Sequence, residues 1–213
     1  MSSLVVFGAN GATGHLIVQE ALRAGHGVTA AVRDPDAFRA VPGELRDAPL
    51  AVARADVRDL DAVRSAVTGH DAVISAIGPR GRHAGKLYSE GARTLVTAMR
   101  ACGVRRLVAL SSSGARRDDP NHPLWYRVVA RTVMNELYGD MRLMEDIVRD
   151  SPLDWTFVRP GRIVDEPSAG TYRVLDGANP EGGTSIPRVD LARFVIRATG
   201  DKRWSHRLPT IVR

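Results

Sequence analysis

"LVVFGANGATGHLIVQEALRAG", Leu4 to Gly25, is the stretch on which the fold turns. Leu4 to Phe7 make a short apolar run of strand character. Behind them Leu16, Ile17, Ala21 and Ala24 fall on one face of a helix. Between the two stand Gly8, Gly11 and Gly14, spaced G-x-x-G-x-x-G. A tight turn needs residues that tolerate unusual φ, and a pyrophosphate needs backbone N–H groups with no Cβ in the way. The third glycine lets the helix lie close on the strand. Such a triplet alone is common, and a turn used only for packing is the bland reading. Placed after the first strand of a βαβ unit, it points to a bound dinucleotide, with Gly8, Asn10, Gly11, Ala12, Thr13 and Gly14 as cofactor-binding candidates.

Outward from this unit the chain keeps alternating. "VTAAV" (28–32) reads as a second strand, and Asp34-Pro35 as the cap and first residue of a helix. "LAVARA" (50–55) reads as a third strand, followed by a helix capped by Asp59 with Leu60, Val63 and Val67 inward. "DAVISAI" (71–77) is a fourth strand. The next helix buries Ala92, Leu95, Val96 and Met99, stops at Gly103, and leads into a fifth strand at 104–110. After a loop, Leu137, Met141, Met144 and Val148 share a helical stripe, and "DWTFV" (154–158) is a sixth strand. The Gly- and Pro-rich tail from Arg159 holds one more helix, near Asp190–Ala198. Near-continuous apolar strands alternating with helices predict an α/β fold: a doubly wound, mostly parallel sheet flanked by helices. One domain is expected over residues 1–213, with a small C-terminal extension on the substrate side.

Strand ends refine the ligand. An acidic residue after the second strand suits a ribose 2′-OH, whereas here the first polar residue is Arg33. A guanidinium fork pairs with phosphate oxygens, so the expected cofactor is NADPH in preference to NADH. Asp34 follows at once and is accounted for as a helix cap. Asp56 and Val57, past the third strand, fall where an adenine would lie. Ala76, Ile77 and Gly78 follow the fourth strand, at the same carboxyl edge.

Composition narrows the classes. A length of 213 residues, 44% hydrophobic and 25% charged, suits one well-buried core. No apolar run reaches the ~18 residues of a membrane span, and no basic n-region precedes the first strand, so neither a membrane span nor a signal peptide is expected. The single cysteine, Cys102, reads as a small core residue, and a cytoplasmic setting is expected. The net charge of +6 is spread along the chain, and aromatics are 5%, so no specific nucleic-acid partner is expected. The six histidines show no H-x-x-x-H or E-x-x-H spacing, and no metal site is expected. The expected partner is a small-molecule substrate, bound by a monomer or homodimer.

"GANGATGHLIVQEALRAGHGVTAAVRDP", "ADVRD", "VRRLVALSSSGA" and "LDWTFVRPGRIVDEPSAGTYRV" together resemble the atypical short-chain dehydrogenase/reductase group called NAD(P)H-binding proteins. Within that group the likeness is to the flavin reductase/biliverdin-IXβ reductase type. It runs over nearly the whole chain and is loose between residues 114 and 140. It implies a Rossmann-like core carrying NADPH, with a small substrate over the nicotinamide. It further implies that Ser112, with Ser113 close behind, faces the nicotinamide, that Pro160 borders the cofactor, and that Arg162 lines the substrate pocket. A polar strand-end turn is the other reading of the serines, and a surface arginine that of Arg162.

Short-chain dehydrogenases use Tyr-x-x-x-Lys, the lysine lowering the tyrosine pKa for proton exchange near neutrality. This chain has no such pair. Its only lysines, Lys86 and Lys202, follow Arg82 and Ala198 by four residues. Tyr126 precedes Ala130, and Tyr138 precedes Arg142, whose cation offers a substitute; packing on the helix rim beside Leu137 is the other role for Tyr138. Ser112, Ser113 and Tyr138 are the catalytic candidates. Trp125 and Tyr126 either roof a planar substrate or pack their loop. Asp140 and Glu145 are expected on the polar side of their helix, Glu145 pairing with Arg149.

Reduction of a flavin, quinone, enone or linear tetrapyrrole gives a delocalised anion that solvent can protonate, so the absent dyad favours a conjugated acceptor. The rivals are an NADP(H)-binding sensor or regulator without chemistry and a sugar-nucleotide epimerase or dehydratase. The latter normally needs the Tyr/Lys pair and a larger C-terminal region.

Overall fold

Strand β1 (Ser3–Phe7) lies at the centre, with β2 (Gly27–Val32) on one side and β4 (Ala72–Ser75) on the other, both parallel to it. Val5 stands opposite Thr29 in one neighbour and Val73 in the other. The computed structural model describes residues 1–79, 81, 83–121, 132 and 134–213. Across them the main sheet has eight strands in the order β3-β2-β1-β4-β5-β6-β10-β8. The remaining members are β3 (Leu50–Arg54), β5 (Arg106–Leu110), β6 (Asp154–Pro160), β8 (Arg173–Asp176) and β10 (Pro209–Val212). Only the β10–β8 pair is antiparallel. A separate parallel pair joins β7 (Arg162–Val164) to β9 (Ser185–Pro187). The order reverses direction between β1 and β4, which opens the crevice in which such sheets hold ligands.

Alternate side chains of each central strand feed opposite cores. Leu4, Val6, Ile74 and Val108 pack beneath α1 (Ala12–Arg23) and α5 (Arg188–Gly200), against Ile17, Val18, Leu191 and Val195. Val5, Phe7, Val73 and Leu107 pack on the other face beneath α2 (Leu60–Val67), α3 (Leu87–Ala101) and α4 (Asn135–Arg149). Parallel strands covered on both faces are what near-continuous apolar runs demand.

Helix ends are satisfied in two ways. Asp59 caps α2 locally, accepting from the N–H groups of Asp61 and Ala62. Helix α3 begins after Lys86, at φ 60°, with no side-chain cap of its own. Asp140 of α4 supplies the acceptors instead, taking Tyr88 N at 2.8 Å and Ser89 N at 3.2 Å. Asp140 therefore faces α3, and the expectation of a solvated position is corrected.

No helix follows Asp34-Pro35. The segment makes a turn in which Asp34 Oδ1 accepts from Asp36 N at 3.3 Å, and a 3₁₀ turn at Gly43–Leu45 precedes β3. The stretch has only Phe38 and Val41 to bury before Pro42, too few for an apolar stripe. The tail holds the expected helix and, besides it, four strands the sequence reading did not give, β7, β8, β9 and β10. Strands of three or four residues carry no readable alternation and exist here through pairing with distant partners.

Candidate functional site

At the end of β1, Gly8 takes φ 77°, and Gly11 N donates back to Gly8 O at 2.9 Å. A Cβ on Gly14 would stand 2.1 Å from Gly8 O, so α1 can sit this low on the turn only with glycine there. Gly11 caps α1 without a side chain, and the first helical turn carries no acidic residue. Its N–H groups and the positive end of the helix dipole face a groove.

That groove, about 620 Å³, runs along the carboxyl ends of β1 to β4. Every cofactor candidate read from the sequence lines it except Pro160: Gly8, Asn10, Gly11, Ala12, Thr13, Gly14, Arg33, Asp56, Val57, Ala76, Ile77 and Gly78. Arg33 is exposed at the mouth, and its guanidinium makes no ion pair among the described residues. Arg58, also on the wall, is occupied by Glu90 at 3.0 Å. Asn10 donates to Ala37 O at 2.9 Å while its Oδ1 is buried with no partner among the described residues. A bare cradle that a Cβ would fill, an unmatched acceptor and an uncommitted guanidinium fit a phosphorylated dinucleotide.

A second cavity of about 340 Å³ shares Thr13, Ala76, Ile77 and Gly78 with the groove and continues toward β5 and β6. Ser112, Tyr138 and Pro160 line it, so Pro160 borders this cavity and not the groove. Its further walls include Leu110, Met134, Leu137, Met141 and Ile163, and among the described residues no charged side chain lines it. Ser112 Oγ accepts from Gly114 N at 3.2 Å, leaving its O–H to donate elsewhere.

Other candidates lie outside both spaces. Ser113 is buried in the 3₁₀ turn Ser113–Ala115 and lines neither cavity. Arg162 is exposed at the start of β7 and lines neither, since its strand places Ile163 inward instead. Arg142 reaches Ala115 O at 3.4 Å and is absent from the cavity wall beside Tyr138. Trp125 and Tyr126 lie outside the described residues.

Three features escape a reading of the sequence. Tyr88 is buried on the wall of the second cavity, its hydroxyl 3.7 Å from where a Cβ on Gly78 would sit. Burial, then the Asp140 carboxylate and Tyr138, push its pKa up to about 12, so the phenol stays protonated at neutral pH. The signal was there: Tyr88 extends the apolar stripe of Ala92, Leu95 and Met99 by one turn.

Behind the second cavity lies an ion pair. Glu145 Oε1 accepts from Ser111 Oγ at 2.7 Å and Arg159 Nε at 2.9 Å, while Oε2 accepts from Arg159 Nη2. Glu145 is 2% and Arg159 6% exposed, so the expected solvated Glu145 is corrected. Arg149 still reaches it from one helical turn on, at 3.6 Å. A charged residue inside the apolar strand "DWTFVRP" was the available sign that a counter-ion must be near.

Last, Arg188 lines the groove from the start of α5. Its Nη1 donates to Thr13 Oγ1 at 2.7 Å, its Nε to Asp165 Oδ1 at 2.6 Å and its Nη2 to Asp165 Oδ2 at 3.2 Å. Hydrogen bonding to Arg188 lowers the pKa of Asp165.

Residues 8–202 match the model of a family described as NAD(P)H-binding. At2g34460, an uncharacterized chloroplastic protein of Arabidopsis thaliana, is 30% identical over 97% of this chain and 75% of its own length. Among solved structures, a short-chain dehydrogenase/reductase of Veillonella parvula in complex with NADP superposes with a TM-score of 0.80 at 16% identity, covering 100% of this chain and 94% of that one. ChuY, an anaerobillin reductase from Escherichia coli O157:H7, superposes with a TM-score of 0.80 at 20% identity, covering 99% and 97%. At these identities the two likenesses are of fold. Among the described residues no helix is long and apolar enough to cross a membrane.

Proposed function

Since the chain belongs to the NAD(P)H-binding family, we propose that it is an NADPH-dependent reductase acting on a small conjugated acceptor such as a flavin, a quinone or a linear tetrapyrrole. The observation that carries this reading is the second cavity: apolar, free of charged walls, and opening off the groove at the β1/β4 crevice. A flat, electron-poor molecule suits such walls, and a highly charged substrate would find no counter-ion among the described lining residues. When bound, the dinucleotide supplies the hydride. The protein's part is orientation and exclusion of water. Gly8 to Gly14 and the start of α1 hold the diphosphate, and Ile77, Gly78 and Pro160 bound the space where the acceptor lies. Tyr88 and Ser112 each present an O–H there, to donate hydrogen bonds to an acceptor oxygen or nitrogen. With the Tyr/Lys dyad absent, the proton comes from solvent onto a delocalised anion, which tolerates a weak donor.

Steady-state oxidation of NADPH in the presence of FMN and a panel of quinones tests this. Turnover with at least one conjugated acceptor is expected. Tight NADPH binding with no turnover on any of them favours the second reading, a non-catalytic NADP(H) sensor, which the missing dyad supports.

Cofactor choice is assigned to Arg33. A charge-assisted contact with the 2′-phosphate is worth about 1.5–3 kcal/mol, which is roughly ten- to a hundredfold in affinity. Arg33→Asp is expected to reverse the preference between NADPH and NADH in calorimetric titration. Unchanged NADPH affinity in that variant removes Arg33 from the role.

A further inference from the structure

We infer that Arg188 is a second cationic ligand of the cofactor, closing on the diphosphate from the side opposite the glycine turn. The inference rests on the reading that the groove takes a dinucleotide, and adds a residue that no motif announces.

The argument begins with an electrostatic oddity. Arg188 Nη1 is hydrogen-bonded to Thr13, the second residue of α1, at the positive end of that helix. Arg188 is itself the first residue of α5, so a second helix N-terminus adds positive potential at the same spot. The acid in the first turn of α5, Asp190, is turned away, accepting from Ser168 Oγ and Ala169 N. The first turn of α1 carries no acid. Two helix N-termini and a guanidinium converge, and Asp165 is the single carboxylate bound to Arg188 among the described residues. One negative charge, on a side chain 78% exposed and outside the groove wall, leaves that convergence under-compensated. An anion in the groove completes it.

Donor counting agrees. Arginine carries five N–H groups. Nε and one N–H of Nη2 go to Asp165, and one N–H of Nη1 goes to Thr13. One N–H on each Nη remains, enough for a forked approach to phosphate oxygens without breaking any existing bond. The Arg188 side chain is only 19% exposed, so the guanidinium is held at the wall and not waving in solvent. Asp165 acts as its splint. Arg33 follows β2 while Arg188 is held on Thr13 at the start of α1, so the two arginines address different phosphates: Arg33 the 2′-phosphate, Arg188 the diphosphate.

The test is calorimetric titration with ADP, which has a diphosphate and no 2′-phosphate, and with 2′-AMP, which has the reverse. For Arg188→Ala, ADP affinity is expected to fall about ten- to a hundredfold while 2′-AMP affinity stays as in wild type. Arg33→Ala is expected to show the opposite pattern. Arg188→Gln keeps an unbranched polar side chain, two bonds shorter, and loses the charge; it serves should the alanine variant fold poorly, and the same selective loss of ADP is expected. Wild-type protein that binds ADP, with Arg188→Ala or Arg188→Gln binding it equally well, overturns the assignment of Arg188. Wild-type protein that binds neither ADP nor NADPH overturns the dinucleotide reading itself.

Discussion

Replacing Glu145 with alanine lowers the free energy of unfolding by about 3–5 kcal/mol, the usual cost of stripping the counter-ion from a buried charge. The size follows from what is left behind. Arg159 lies in the seven-residue strand β6 at 6% exposure, with Val158 and Phe157 beside it fully buried. Its Nε and Nη2 both lose their acceptor, and Ser111 Oγ loses its own. Glu145→Gln retains shape and one acceptor oxygen, so its loss is smaller. The double variant Glu145→Ala/Arg159→Met is less destabilised than Glu145→Ala alone, because the orphaned charge is gone. Urea denaturation of wild type and the three variants measures these differences. A loss under about 1 kcal/mol for Glu145→Ala would show that Arg159 finds solvent or another partner. Activity should fall in parallel, since Ser111 and Pro160, the neighbours of this pair, line the second cavity, where the acceptor is proposed to lie.

Gly14→Ala abolishes useful binding of the dinucleotide, weakening NADPH by at least about a hundredfold, equivalent to losing two charge-assisted contacts. The added Cβ meets Gly8 O at 2.1 Å and Gly8 C at 2.8 Å, both backbone atoms that no rotamer change can move. The turn cannot retreat, because a Cβ placed on Gly8 would already meet Ala76 O at 2.5 Å; it is squeezed between α1 and the end of β4. What gives is the start of α1, whose N–H groups then swing off the diphosphate position. Stability falls too, by about 1–3 kcal/mol, as for other overpacked sites. Gly27→Ala is the control: its Cβ meets nothing within 4 Å, and binding is expected to be unchanged. Calorimetry on both variants decides the point, and Gly14→Ala with wild-type NADPH affinity would falsify the cradle.

Much of the groove was legible because its parts are contiguous or repeat at the same edge. Gly8 to Gly14 span one turn, and Arg33, Asp56 and Gly78 each follow a strand whose apolar run is visible. The second cavity was legible only in part. Ser112 and Tyr138 line it, and Pro160, expected at the cofactor, lines it instead of the groove. Ser113 and Arg162 do not, Ser113 being buried in a 3₁₀ turn and Arg162 exposed on a short strand whose Ile163 faces the cavity. The helix expected after Asp34 failed for want of an apolar stripe. Glu145 and Asp140 were misplaced by residue type: at helical spacing both flank the stripe of Leu137, Met141, Met144 and Val148, and only their polarity suggested an outer position. Each is held inward by a distant partner, Arg159 for one and the start of α3 for the other.

Local pattern alone thus settled the alternation of strands and helices, the two-sided sheet and the bare turn at its centre, because burial period and backbone freedom are properties of neighbouring residues. Contacts between distant residues were decided only on folding. Arg188 and Thr13 are 175 positions apart, and Asp140 and Tyr88 are 52. A hydrogen bond across such a separation leaves no spacing in the chain. It depends on where the sheet order carries each strand end, and that order is set by the packing of the whole core.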